Sequence, residues 1–139
     1  MRRVTFVTLV VLAAALPGTA EAAAPDYILV TGPGVSRPVV LDSWQENHAL
    51  LLAVAASRRA TGRAASLTQR PRFLLALFWG WYDKPRPRSP RQANDRGFFY
   101  PAHRGRPAVI EIGVNGRYQP WLAPPRVLRL LGRHGVPVR

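Results

Sequence analysis

The chain contains no cysteine and little negative charge, and both absences narrow the functions open to it. Without cysteine it forms no disulfide framework, offers no thiol nucleophile or lipid-anchored cysteine, and has no Cys-ligated metal site. The chain has 7 acidic and 20 basic residues, so its formal net charge is +13, which favours acidic partners. Because Lys84 is the single lysine, arginine codon usage in a GC-rich genome is a second explanation of the basicity. The sequence leaves both explanations open.

Motifs that carry catalysis or bind metals are also missing. The sequence has no H-E-x-x-H, G-x-S-x-G or S-x-x-K motif and no phosphate-binding loop, and its histidines lack metal-ligand spacing. We therefore predict neither a cofactor nor a metal, and the sequence favours a non-enzymatic protein. The alternative is a small secreted hydrolase-like enzyme with a site built from loops, for which His48, His103 and Glu111 are the candidates. Two of these have a structural interpretation, His48 as a hydrogen-bonded core residue and Glu111 as part of a solvated sheet face.

The longest uncharged apolar run is too short to cross a bilayer. It covers residues 4–16 and follows Arg2 and Arg3; 13 helical residues rise about 20 Å, against a hydrocarbon core of about 30 Å. Ala20-Glu21-Ala22 fits the cleavage rule of a secretory signal peptide. The sequence therefore predicts a signal peptide over residues 1–22 and one secreted or periplasmic, cell-envelope domain over residues 23–139. The arginine pair leaves the twin-arginine route as an alternative.

Hydrophobic periodicity and turn residues predict an α+β domain. Ser43 and Glu46 form an S-x-x-E capping box ahead of a helix, and Asn115-Gly116 indicates a hairpin. The order ββαβββ(β)α implies an antiparallel sheet with one or two helices packed on one face. The predicted elements are strands 27–31 and 38–41, a helix 44–59, strands 73–82, 98–100, 108–114 and 117–122, and a helix 126–134.

Residues 73–82 (FLLALFWGWY) are predicted to form a central strand. A helix remains the alternative, because periodicity separates strand from helix poorly in a short apolar run. Residues 83–97 follow as a polar loop with Pro85, Pro87 and Pro90, which cannot donate to a strand ladder.

The loop contains the most cationic stretch of the chain, residues 84–96, called here the basic segment. Asp95 is its one acidic residue, and the prolines are expected to hold it extended. Aromatic residues on both sides offer a stacking surface for bases or sugar rings, or else anchor the ends of a solvated loop. The predicted ligand-binding residues are Lys84, Arg86, Arg88, Arg91, Arg96, Trp81 and Tyr82.

Three turn-rich pieces of the chain carry a resemblance to known sequences: Tyr27-x-x-Val30-Thr31-Gly32-Pro33-Gly34-Val35-x-x-Pro38-Val39, Phe99-Tyr100-Pro101 and Asn115-Gly116-Arg117-Tyr118. In these pieces it resembles small exported proteins of actinobacteria and related GC-rich bacteria, a group without an assigned activity. The resemblance implies a secreted bacterial origin and supplies no catalytic residues.

The leading hypothesis is a small exported domain that binds an anionic cell-envelope polymer or a protein partner through the basic segment. Nucleic acid is the disfavoured partner, because its binding rests on charge alone and conflicts with the predicted export.

Overall fold

The computed structural model describes residues 24–114 and 117–139, so the predicted signal peptide and the Asn115-Gly116 turn lie outside the described residues. The elements are β1 (Tyr27–Thr31), β2 (Val39–Leu41), α1 (Trp44–Ala55), β3 (Phe73–Phe78), a 3₁₀ turn (Pro90–Gln92), β4 (Asp95–Tyr100), β5 (Val109–Val114), β6 (Arg117–Leu122) and α2 (Pro125–Arg133).

The strands form one antiparallel sheet in the order β2-β1-β3-β4-β5-β6. The predicted α+β class, with an antiparallel sheet and two helices, is confirmed. β3 lies inside the sheet, and five of its six residues are buried. Residues 73–78 therefore form the predicted central strand, and the helical alternative is wrong.

Alternation along the strands gives the sheet two different sides. The helix side carries Ile28, Leu75, Phe99 and Ile110, which pack with Leu50 and Val54 of α1 and with Val127, Leu130 and Leu131 of α2. The loop side carries two separate apolar clusters. One contains Leu29, Ala76 and Phe78, and the other contains Ala60, Tyr100 and Val109.

Helix α1 ends at Ala55, before the predicted end at residue 59. The Ser57 hydroxyl donates to the Val54 carbonyl at 2.8 Å, and residues 58–60 continue as extended backbone along β6. The Leu122 amide donates to the Arg58 carbonyl at 2.8 Å, and the Ala60 amide to the Pro120 carbonyl at 3.0 Å. Pairing with the sheet edge thus replaces the last turn of the predicted helix.

The connection between β3 and β4 covers residues 79–94, so it starts four residues earlier and ends three residues earlier than predicted. β3 stops at Phe78 because the side-chain amide of Asn94 takes the place of a strand neighbour, accepting from the Trp79 N–H and donating to the Trp79 carbonyl, each at 2.9 Å. β4 begins at Asp95 and includes Gly97, where a Cβ atom would lie 2.8 Å from the Glu111 carbonyl oxygen of β5. Gly97 was predicted to be the last residue of the loop, and its lack of a side chain is what permits this strand pairing.

Candidate functional site

The basic segment is held against the loop side of the sheet at its base. The Trp81 ring packs edge-on against Phe78 with centroids 5.1 Å apart, and its indole N–H donates to the Pro85 carbonyl at 2.9 Å. The Trp81 backbone N–H donates to the Asp26 carboxylate at 2.5 Å, and Pro87 is buried. The segment is therefore a fixed surface feature over its first half.

Two of the five predicted cations are already engaged. The Lys84 ammonium lies 4.3 Å from the centroid of the Trp81 ring, and the Arg86 guanidinium pairs with Asp42 at 3.3 Å. Asp42 directly precedes the Ser43 that caps α1, so the partner of Arg86 comes from far along the chain. Both members of this pair are more than half exposed, and such pairs contribute little to stability.

The other three cations, Arg88, Arg91 and Arg96, are exposed and have no acidic partner among the described residues. Arg88 and Arg91 flank Ser89, whose hydroxyl caps the 3₁₀ turn. Arg96 does not lie in a loop as predicted, because its backbone pairs with Ala76 of β3 and its side chain belongs to the loop side of the sheet. These three arginines are the cations that the site can offer to a ligand.

The aromatic residues around the basic segment differ in how far they are accessible. Phe99 and Tyr100 are buried, and the Trp81 ring is occupied by Phe78 and Lys84. Tyr82 is 83% exposed. Of the predicted aromatic site residues, Tyr82 is thus the one that is open to a ligand.

The acidic residues of the described chain are mostly used within the fold. All of them except Asp83 take part in a hydrogen bond or ion pair: Asp26 with the Trp81 amide, Asp42 with Arg86, Glu46 with Arg133 and His134, Asp95 with the Arg96 amide, and Glu111 with Tyr100. Little negative charge is left to neutralise the exposed arginines, so their field extends into solvent.

An ion cluster between α1 and α2 was missed by sequence reasoning. Ser43 caps α1 as predicted, accepting from the Glu46 N–H at 3.2 Å, but the Glu46 carboxylate contacts α2. One of its oxygens lies 3.1 Å from Arg133 Nη2, and the other lies 3.0 Å from His134 Nε2. The cluster borders a groove of about 380 Å³ lined by Glu46, Ala49, Leu50, Arg126, Arg129, Leu130 and Arg133. The capping motif had already accounted for Glu46, so no sequence signal indicated this contact.

A partly exposed strip of the loop side lies on β4 to β6, and its Phe98 packs against the cluster of Ala60, Tyr100 and Val109. The Phe98 ring packs against the Tyr118 ring with centroids 5.2 Å apart, and the Arg72 guanidinium lies 4.7 Å from the centroid of Phe98. Tyr118 is 44% exposed, and Arg96 stands on the same strip. Tyr118 was not singled out in the sequence, because its exposure depends on which side of β6 it occupies.

Glu111 and Tyr100 form a hydrogen-bonded pair on the same side of the sheet. The Tyr100 hydroxyl donates to a Glu111 carboxylate oxygen at 2.6 Å. Burial, and next this hydrogen bond, raise the pKa of Tyr100 to about 12. The partner of Glu111 is thus a tyrosine, and the pair is half-buried.

The histidine candidates for a hydrolase-like site have different neighbours. His48 is half-buried and stacks on Trp44 with ring centroids 4.8 Å apart, while His103 forms a backbone bridge with Arg106. Within residues 24–114 and 117–139, no group of three or more His, Asp or Glu residues is placed to hold a metal ion. In those same residues, no helix has the length and hydropathy needed to span a bilayer.

No family model, curated protein or solved structure matches this chain.

Proposed function

We propose that the protein binds an anionic polymer through Arg88, Arg91 and Arg96, as a non-enzymatic domain of the cell envelope. One observation carries the proposal: these three arginines are exposed, have no acidic partner among the described residues, and follow one another within nine residues of chain. Guanidinium groups pair with carboxylate and phosphate groups through two parallel hydrogen bonds, which suits them to a polyanion.

The anchoring of the basic segment supports this function. Trp81, Asn94 and the capped 3₁₀ turn fix the backbone on either side of Arg88 and Arg91 before any ligand arrives. Binding therefore costs less conformational entropy than it would for a flexible tail of the same charge. The attraction acts over a distance and weakens as salt screens it, with a Debye length of about 8 Å at physiological ionic strength.

The test replaces the three free arginines together. We expect Arg88→Gln, Arg91→Gln and Arg96→Gln in one variant to elute from immobilised heparin at clearly lower salt than the parent protein, with little change in melting temperature. Arg86 is left intact, since its pair with Asp42 would confuse the result.

A control variant removes the same charge from the other side of the fold. Arg126, Arg129 and Arg139 are exposed and have no ion pair within the described chain, so replacing them by Gln changes the net charge equally. If the control variant lost as much retention as the first, binding would depend on net charge alone and the proposed site would be wrong.

Export is part of this proposal and has its own measurement. It is supported by the arginine pair, the apolar run and the Ala20-Glu21-Ala22 site in the sequence. Intact-mass analysis of protein from the culture medium or periplasm should give a chain that begins at Ala23. A full-length chain retained in the cytoplasm would contradict export.

A second candidate function is a hydrolase-like activity at the groove between α1 and α2. The observation that favours it is the 3.0 Å contact of His134 with Glu46, because a carboxylate-oriented imidazole is a general base. It stands second because the residues lining the groove carry no hydroxyl or thiol nucleophile. Turnover of chromogenic phosphate or carboxylate esters that Glu46→Gln abolishes would support it, and no turnover by the parent protein would contradict it.

A further inference from the structure

A row of residues crosses the loop side of the sheet from the basic segment to the β6 edge. Ala93, which follows the 3₁₀ turn, packs on the cluster that contains Ala76. Ala76 pairs with Arg96 on β4, and Gly113 pairs with Tyr118 on β6. The β4–β5 ladder brings the Arg96 backbone oxygen within 3.7 Å of the position a Cβ of Gly113 would take. Arg96 therefore lies two strands from Tyr118, about 10 Å away at the backbone, with only a glycine between them.

The Tyr118 ring lies beside Gly113 on the loop side of the sheet. A Cβ at position 113 would lie 3.4 Å from Tyr118 Cε1, so the ring occupies the space next to that backbone. The ring packs against Phe98, which also contacts the Arg72 guanidinium. Tyr118 nevertheless stays 44% exposed.

We propose that this strip binds an acidic polysaccharide, with a pyranose ring on Tyr118 and a carboxylate of the same polymer on Arg96. The inference rests on the proposed function and names its ligand class. The C–H groups on one face of a sugar ring carry partial positive charge, which the negative face of an aromatic ring attracts. Arg96 has no acidic partner in the described chain, and its planar fork fits a carboxylate.

The arrangement favours a sugar polymer over a single-stranded nucleic acid. Nucleic-acid grooves stack successive bases on several accessible rings. On this strip the Tyr118 ring is exposed. The Phe98 ring is in contact with Arg72 and Tyr118, and Tyr100 is buried. Glu111, the acidic residue of the strip, is hydrogen-bonded to Tyr100.

The experiment compares a polyanion that has sugar rings with one that has none. Binding of polygalacturonate and of inorganic polyphosphate is measured for the parent protein, Tyr118→Ala and Tyr118→Phe. We expect Tyr118→Ala to weaken binding of polygalacturonate about five-fold and to leave polyphosphate unchanged, since one aromatic contact is worth about 1 kcal/mol. Tyr118→Phe keeps the ring and should bind both as the parent does. Unchanged melting temperatures would show that each variant is folded.

The outcomes separate this inference from the proposed function. If Tyr118→Ala weakened both polymers equally, or neither, the sugar contact would be overturned while anion binding by the arginines stood. Oligothymidylate is measured in the same way, and a loss of its binding in Tyr118→Ala with none for polygalacturonate would overturn the inference in favour of nucleic acid. If the variant lacking Arg88, Arg91 and Arg96 bound polyphosphate as tightly as the parent does, the proposed function itself would be wrong.

Discussion

The helix side and the loop side of one sheet are closed by different physical means. On the helix side, two helices cover a continuous apolar layer that includes Leu75, Phe99 and Ile110. On the loop side, two separate apolar clusters lie under irregular chain, and a strip on β4 to β6 stays partly open. The exposed cations that we assign to binding lie on the loop side, which irregular chain covers.

The difference follows from where backbone hydrogen bonds are made. A helix satisfies its own N–H and C=O groups, so an apolar stripe is enough to seat it on a sheet. A loop needs other partners, and here side chains supply them. The Arg70 guanidinium donates to the carbonyls of Pro101 at 2.8 Å and Pro107 at 2.6 Å, and Asn94 holds Trp79. The loop side is therefore stabilised by a few polar contacts, each of which a single substitution can remove.

The largest contrast is expected between two neighbouring residues of β3. Leu75 is 2% exposed on the helix side, so Leu75→Asp buries an unpaired charge and should lower the free energy of unfolding by about 3 kcal/mol or more. Leu74 is half-buried on the loop side, and Leu74→Asp should cost clearly less because water reaches it. Denaturant unfolding measures both changes. Equal losses would mean that the two sides of the sheet are equally shielded from water.

A smaller loss of unfolding free energy is expected when the hydrogen bonds of Arg70 to the loop side are removed. Arg70→Met keeps most of the apolar stem but leaves the Pro101 and Pro107 carbonyls without their donor, which should cost about 2 kcal/mol of unfolding free energy. Arg72→Met, at an exposed position two residues away, is the matched control and should cost less than about 1 kcal/mol. Similar losses in the two variants would show that the buried guanidinium does not hold the loops.

A third prediction concerns alkaline pH and the Tyr100–Glu111 pair. The pKa of Tyr100 is raised to about 12 in the fold, from an ordinary value near 10. The unfolded chain therefore loses this proton first as the pH rises. The stability that depends on a protonated, buried Tyr100 is present below about pH 10 and is lost between about pH 10 and 12.

Glu111→Gln tests the cause of that shift. Without the carboxylate, the pKa of Tyr100 should fall toward 10, although burial continues to raise it. Absorbance titration of tyrosinate measures the change, with Tyr100→Phe identifying the Tyr100 component. A Tyr100 titration unchanged in Glu111→Gln would leave burial as the whole cause.

Local sequence signals were sufficient for much of the fold. The strands β1 and β2, the Ser43 cap of α1 and the bounds of β6 were predicted from a few adjacent residues each. Such signals act within a turn or two of chain and need no knowledge of distant partners. Predictions made from them differed from the structure where tertiary pairing intervened, as at Gly97 and after Ala55.

The sequence by itself determined the excess of positive charge and its concentration in residues 84–96. Only the tertiary structure decided which of those charges are free. Arg86 finds Asp42 and Lys84 covers Trp81, whereas Arg96 enters a strand on the side of the sheet that bears Tyr118. Ion pairs and strand registers join residues dozens of positions apart, so the composition of one segment does not specify them. Charge is a property of the chain, but its accessibility depends on the neighbours that folding brings to it.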